Sequence, residues 1–212
     1  MAPRSYTMRR RAASASETRD RIVDAASALY QAHGVSSTTF QAIADLADVS
    51  RGTIVHHFGG TGGLLNAVAE RILETMRLPD ERIFEGATDD EGRLRAFVSA
   101  IVEFFQRSAG WWAVFMTEMT RPELKVREAA YFEQMTRLQA IALGSMAGDR
   151  DVNVVVGSLI HPGTIGGFAW VMEQAGFEPA QGVDAIADVV VAYVERARRA
   201  AADTRAGDGR VQ

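Results

Sequence analysis

Apolar residues recur at helical spacing along almost the whole chain. No alternating run reaches strand length outside residues 152–156, which lie inside a helical pattern. That periodicity restricts the chain to an all-α fold, and its Gly and Pro punctuation divides it into about nine helices. A first helix is expected from Ser16, where Ser-Glu-Thr-Arg offers a cap and an early acid, to His33-Gly34. Its inward face carries Ile22, Ala26, Leu29 and Tyr30. A fourth helix over residues 61–78 stops before Pro79, and the polar residues 79–90 read as a loop. The fifth, over residues 91–108, turns Leu94, Phe97, Val98, Ile101, Phe104 and Phe105 to one side and is expected to break at Gly110. A short apolar helix over 111–120, an amphipathic one over 122–146 and an uncharged one over 151–174, interrupted at His161-Pro162-Gly163, follow. The last covers residues 183–201.

Residues 38–58 carry the pattern with the most specific consequence. Thr38 or Thr39 can cap a short helix whose Phe40, Ile43 and Ala47 face inward, and Ala44 is small where two helices must cross closely. Asp48-Val49-Ser50 forms a turn, and Ser50 caps a second helix anchored by Ile54 and Phe58. Arg51, Gly52, Thr53, Val55, His56 and His57 are then left outside. A helix held in this way fits the major groove of DNA with its N-terminal residues against base edges. Arg51 can donate two hydrogen bonds to guanine and Thr53 can meet a thymine methyl, while Thr39 and His56 suit phosphate. An ordinary helical hairpin is the alternative on these residues alone.

The formal charge of −4 is unevenly spread. Residues 1–58 hold seven arginines against five acids, and the acidic excess lies in the remainder. A basic head on an acidic body permits DNA binding by the head and argues against a nonspecific architectural binder. The absence of cysteine excludes disulfides and thiol chemistry and is compatible with a cytoplasmic setting. The uncharged run 152–172 approaches the length of a membrane span, but its His, Pro and four glycines favour burial against protein, and no membrane association is expected.

The stretch Thr18-Arg-Asp-Arg-Ile-Val-Asp-Ala-Ala, followed by Val49-Ser-Arg-Gly-Thr, His57-Phe58-Gly and Leu64-Leu65, resembles the N-terminal domain of TetR-family transcriptional regulators. The resemblance covers residues 18–70. It implies an all-helical homodimer that binds a palindromic operator in double-stranded DNA. Its first three helices bind DNA, its variable C-terminal helices hold a small-molecule effector, and its last two helices build the dimer interface. A repressor released from its operator by a small apolar or aromatic effector is the function implied, with no enzymatic activity and no cofactor. The expected organisation is a flexible basic arm (1–15), a helix-turn-helix domain (16–60), a ligand-binding and dimerisation domain (61–202) and a flexible tail (203–212). Three departures from the family pattern stand out. Asp48 takes the place of a turn glycine, Val55 that of a tyrosine, and Gly59-Gly60-Thr61-Gly62-Gly63 replaces a segment that usually opens with lysine.

The DNA-facing set expected from these observations is Thr38, Thr39, Ser50, Arg51, Gly52, Thr53, His56, His57 and Thr61, joined by Arg9, Arg10 and Arg11 of the arm. Phe105, Trp112, Phe115, Met116, Met119 and Tyr131 are either core or the lining of an adaptable apolar pocket. His161, beside a helix-breaking proline, is either that pocket's polar group or part of a simple kink. Gly163 and Gly167, with Phe168, Trp170, Val171, Val189, Val190 and Tyr193, are expected at the dimer interface. An enzyme is disfavoured because no nucleophile–base set, paired carboxylates or metal spacing appears.

Overall fold

The structure, a computed structural model, describes residues 4–118 and 121–208. Those residues form nine α-helices and three short 3₁₀ turns, with no strand among them. The helices are α1 (Arg4–His33), α2 (Phe40–Ala47), α3 (Arg51–Phe58), α4 (Thr61–Met76), α5 (Asp90–Glu118), α6 (Lys125–Leu143), α7 (Arg150–Leu159), α8 (Pro162–Gln174) and α9 (Pro179–Asp208). They group into two compact units. The first takes the chain up to Arg77 together with Ser108–Glu128, and the second takes Leu78–Arg107 with the chain from Ala129 onward.

In the first unit, Ile22, Val23, Ala26 and Tyr30 of α1 are buried together with Ile43, Ala44 and Ala47 of α2, Ile54 of α3 and Leu64, Leu65 and Val68 of α4, with α1 packed on α2 and α4, and α3 on α2 and α4. In the second, Leu94, Phe97, Val98 and Ile101 of α5 are buried with Leu138, Ala142 and Leu143 of α6, Val152 and Val156 of α7, and Val190 and Val194 of α9. The apolar face read for the fifth helix is thus buried throughout, through Phe104 and Phe105.

Four expectations are corrected. The first helix does not begin at Ser16. It extends back to Arg4, because residues 4–15 are rich in Arg and Ala and contain neither Gly nor Pro, so nothing stops a helix propagating through them. Gly110 does not break α5, which continues to Glu118. A lone glycine costs a helix only about 1 kcal/mol, and a methyl group at Gly110 would run into the amide of Gln31 on α1. The Gln31 side chain thus lies over Gly110 and would have to swing aside for any larger residue there. The last helix begins at Pro179 and runs to Asp208, through much of the stretch expected to be a loose tail. Finally, α4 and residues 108–128 belong to the first unit, so that unit is larger than residues 16–60.

The uncharged run is split into α7 and α8, bent by 47°. No single helix among the described residues is long and apolar enough to cross a membrane.

One knot of side chains stitches the first unit together across a long stretch of sequence. The Glu118 carboxylate, buried at the end of α5, pairs with Arg121, whose guanidinium also donates to Ser36 Oγ at 3.1 Å in the turn between α1 and α2. Tyr30 sits in the same field. Burial pushes its phenol up to about 12, against a smaller opposing pull from Arg121, so it stays neutral. Arg127 adds a hydrogen bond to Asn66 on α4 at 3.3 Å. Removing Arg121 strands a buried carboxylate. Arg121→Ala is expected to cost about 2 kcal/mol, a fall in Tm of about 4–8 °C for a chain of this size. Glu118→Gln, which leaves no charge behind, should cost less. An unchanged melting curve for Arg121→Ala would remove the knot from the list of stabilising features.

Candidate nucleic-acid interface

The helix-turn-helix is built from two capped helices of eight residues each. Thr39 is the cap of α2, its Oγ1 accepting from the Ala42 amide at 3.1 Å. The turn is made at Asp48, which adopts the left-handed conformation (φ 52°, ψ 56°) that most side chains avoid and Asp tolerates. The missing turn glycine is therefore replaced without loss of geometry. Ser50 caps α3, accepting from the Thr53 amide at 3.1 Å. Its hydroxyl also lies 2.9 Å from Thr53 Oγ1.

Ile54 is fully buried and fixes the roll of α3. The opposite side carries Arg51, Gly52, Val55 and His56, all exposed, with Thr53 and His57 half-buried at its edges. The guanidinium of Arg19 on α1 lies 5.2 Å from the centre of the Phe58 ring, bracing the C-terminal end of α3. His56 and His57 occupy the last turn of α3. Their rings meet edge to face at 5.7 Å.

Thr38 has a different place from the one expected. Its hydroxyl donates to the Gly34 carbonyl at 2.8 Å and the side chain is half-buried, so its proton is committed to the turn between α1 and α2. Thr61 is exposed at the start of α4. The glycines around it have structural reasons. Gly59 ends α3 with φ 72°, and a Cβ on Gly63 would fall on the carbonyl oxygen of Phe58. The side chains of Arg9, Arg10 and Arg11 lie outside the described residues, although their backbone is part of α1.

Of the residues weighed for an effector site, Phe105 is buried and Tyr131 half-buried in the second unit. They are joined through Phe104, whose ring centre is 5.4 Å from Phe105 and 6.2 Å from Tyr131. Burial pushes the Tyr131 phenol up to about 12, leaving it a neutral hydroxyl on an aromatic cluster. Trp112 is half-buried and belongs to the first unit. Phe115 and Met116 have side chains outside the described residues, as does the whole of Met119. His161 is exposed and caps α8, its Nδ1 accepting from the Gly163 amide at 3.1 Å, which accounts for it as a helix terminus rather than a pocket group.

At the expected dimer face, Trp170, Val171 and Val189 are exposed, at 63%, 56% and 52%. Gly163 and Gly167 are exposed, and Phe168 and Tyr193 are half-buried. Val190 is a correction: it is fully buried in its own subunit, because it sits one residue around α9 from Val189 and so faces inward. Leu46 on α2, which the sequence reading did not single out, is 57% exposed.

The sequence model described as bacterial regulatory proteins, tetR family, matches residues 22–68, which span the C-terminal part of α1, all of α2 and α3 and the first half of α4. The match to whole proteins extends further. The chain is 28% identical over 199 residues to the probable acrEF/envCD operon repressor of Escherichia coli K12, covering 86% of this chain and 89% of that protein. The chain thus carries the N-terminal domain of tetR-family regulators. It is a DNA-binding regulator of transcription rather than an enzyme. Over 94 residues the chain is 40% identical to the transcriptional regulator SrpR of Pseudomonas putida, covering 44% of this chain and 41% of SrpR. Its fold is shared with NalD, the secondary repressor of the MexAB-OprM multidrug efflux pump in Pseudomonas aeruginosa. That likeness has a TM-score of 0.58 at 21% identity, covering 84% of this chain and 95% of NalD.

Proposed function

We propose that this protein is a homodimeric TetR-family repressor that holds a palindromic operator through α3 of each subunit and lets it go when a small apolar or aromatic molecule binds. The observation that carries this is the outward side of α3, where Arg51, Gly52, Val55 and His56 stand exposed on a helix fixed by buried Ile54. Such a helix is rigid at its root and chemically open on the side a groove would meet. Thr39, Ser50 and Thr61 flank it as hydrogen-bonding partners for phosphate. The neutral, half-buried Tyr131 within the Phe104–Phe105 cluster supplies the combination of apolar surface and one polar group that suits such an effector.

Selection from a random duplex library at about 0.15 M salt should return a two-fold symmetric consensus bound at least ~10³-fold more tightly than random DNA. Equal binding to random duplex would overturn the proposal.

For the dimer, α8 sets Gly163, Gly167, Trp170 and Val171 on one side at helical spacing, and α9 offers Val189 and Tyr193. Among the described residues, nothing beyond the helix's own nearby backbone comes within 4 Å of a Cβ built on Gly166 or Gly167, and packing against a partner helix would account for those glycines. Trp170→Glu places a charge on this side and is expected to give a monomer in sedimentation at micromolar concentration. Its operator affinity should fall at least ~100-fold, since half of the paired contacts are lost. A Trp170→Glu protein that still sediments as a dimer would move the interface elsewhere.

A further inference from the structure

Two features of α3 are not explained by the packing of the first unit. Gly52 lies inside the helix, where glycine costs about 1 kcal/mol relative to alanine. It has no positive φ, and a Cβ built there meets nothing closer than Ser50 Oγ at 3.6 Å. Neither crowding nor backbone conformation demands it. Val55, a β-branched residue that gains little from being helical, is 48% exposed on a side otherwise occupied by Arg51, Gly52 and His56. Residues 52 and 55 are neighbours at i and i+3, so the missing side chain of Gly52 leaves the methyl groups of Val55 standing clear beside bare backbone.

We infer that Gly52 and Val55 form an apolar notch that reads the C5-methyl group of a pyrimidine in the operator. The thymine methyl is the one apolar group that base edges present in the major groove, and it is what an exposed valine can recognise there. Glycine serves where a backbone must approach a ligand closely. Arg51 stands one helical turn before Val55, about 6 Å along the axis. The thymine should therefore lie within about two base pairs of the guanine that Arg51 contacts, since base pairs rise by about 3.4 Å. This assigns to Val55 a part in sequence preference that a tyrosine at that position would fill differently, and it rests on the proposal that α3 reads operator DNA.

The test uses the full-length protein and the selected operator. Each thymine of one half-site is replaced in turn by deoxyuridine, which lacks only the methyl group, with the same change at the symmetric position. Wild-type affinity should fall by ~3- to 10-fold at the position that faces Val55. In Val55→Ala, whose melting temperature should match wild type because the side chain is exposed, that penalty should disappear. In Val55→Thr, which keeps one methyl group, it should persist in part. Deoxyuridine that is silent at every position, or a penalty retained in full by Val55→Ala, overturns the inference while leaving operator reading by α3 intact. A selection that returns no consensus defeats the operator reading itself, and the methyl contact with it.

Discussion

Gly63→Ala is expected to lower Tm by about 6–12 °C, corresponding to about 3 kcal/mol in a chain of this size, and to weaken operator binding more than 10-fold. The new methyl group would collide with the Phe58 carbonyl oxygen, a backbone atom that cannot rotate away. Either the C-terminal turn of α3 or the start of α4 must shift, and both are tied to the roll of α3 that Ile54 sets. The neighbouring glycine is the control. A Cβ on Gly62 meets only the side chain of Glu123, with its Cγ at 2.8 Å, and that side chain can swing aside. Gly62→Ala should therefore be close to neutral. Scanning calorimetry of the two variants separates them, and equal melting temperatures would mean that the turn between α3 and α4 is looser than it looks.

Arg51→Ala should produce the largest loss of binding that leaves the fold untouched. The side chain is exposed at the first position of α3, so thermal stability should not change. A bidentate arginine–guanine contact is worth about 1–3 kcal/mol, and a two-fold symmetric complex contains it twice, so a loss of ~10²- to 10³-fold is expected. Arg51→Lys keeps the charge but loses the planar pair of donors. It should retain nonspecific affinity while its preference for guanine at that position relaxes. Competition binding with operator and point-substituted operator at one fixed salt concentration distinguishes the two outcomes. Wild-type affinity in Arg51→Ala would show that α3 does not lie in the groove as proposed.

What the sequence revealed and what it hid divide along the range of the interactions. The caps at Thr39 and Ser50, the left-handed turn at Asp48 and the apolar side of α5 are local patterns, written within three or four residues, and each was legible. The continuity of α5 through Gly110 was not, because a lone glycine weakens a helix without ending it, and the packing around it lies outside its local sequence. The Glu118–Arg121–Ser36 knot joins residues 85 positions apart, and no spacing rule could have found it. Val190 failed for a subtler reason. One residue of rotation separates it from Val189, and an apolar stripe on a helix with two apolar sides does not say which side faces home. The early start of α1 was misread by giving basic, small residues a disordered character when their intrinsic preference is helical. For the DNA-facing set, the sequence located the helix and its exposed side. The commitment of Thr38 to Gly34 depended on a hydroxyl geometry that composition does not carry.

The hydroxyls along the helix-turn-helix also limit how it can grip an anion. Thr38, Thr39, Ser50 and Thr53 put four oxygens near one surface, but a phosphate is held by protons, and these are fewer. Thr38 gives its proton to Gly34, and of the Ser50–Thr53 pair, 2.9 Å apart, one must donate to the other. Two protons remain for a phosphate, one from Thr39 and one shared by the pair. Hydroxyl donors in this region are scarce enough that guanidinium groups must supply most of the attraction. Arginine does not lose its charge at any physiological pH, and residues 1–58 contain no lysine. The arginine share of the hold on DNA is thus insulated from acidity and from lysine acylation alike, and ionic strength is the variable that loosens it.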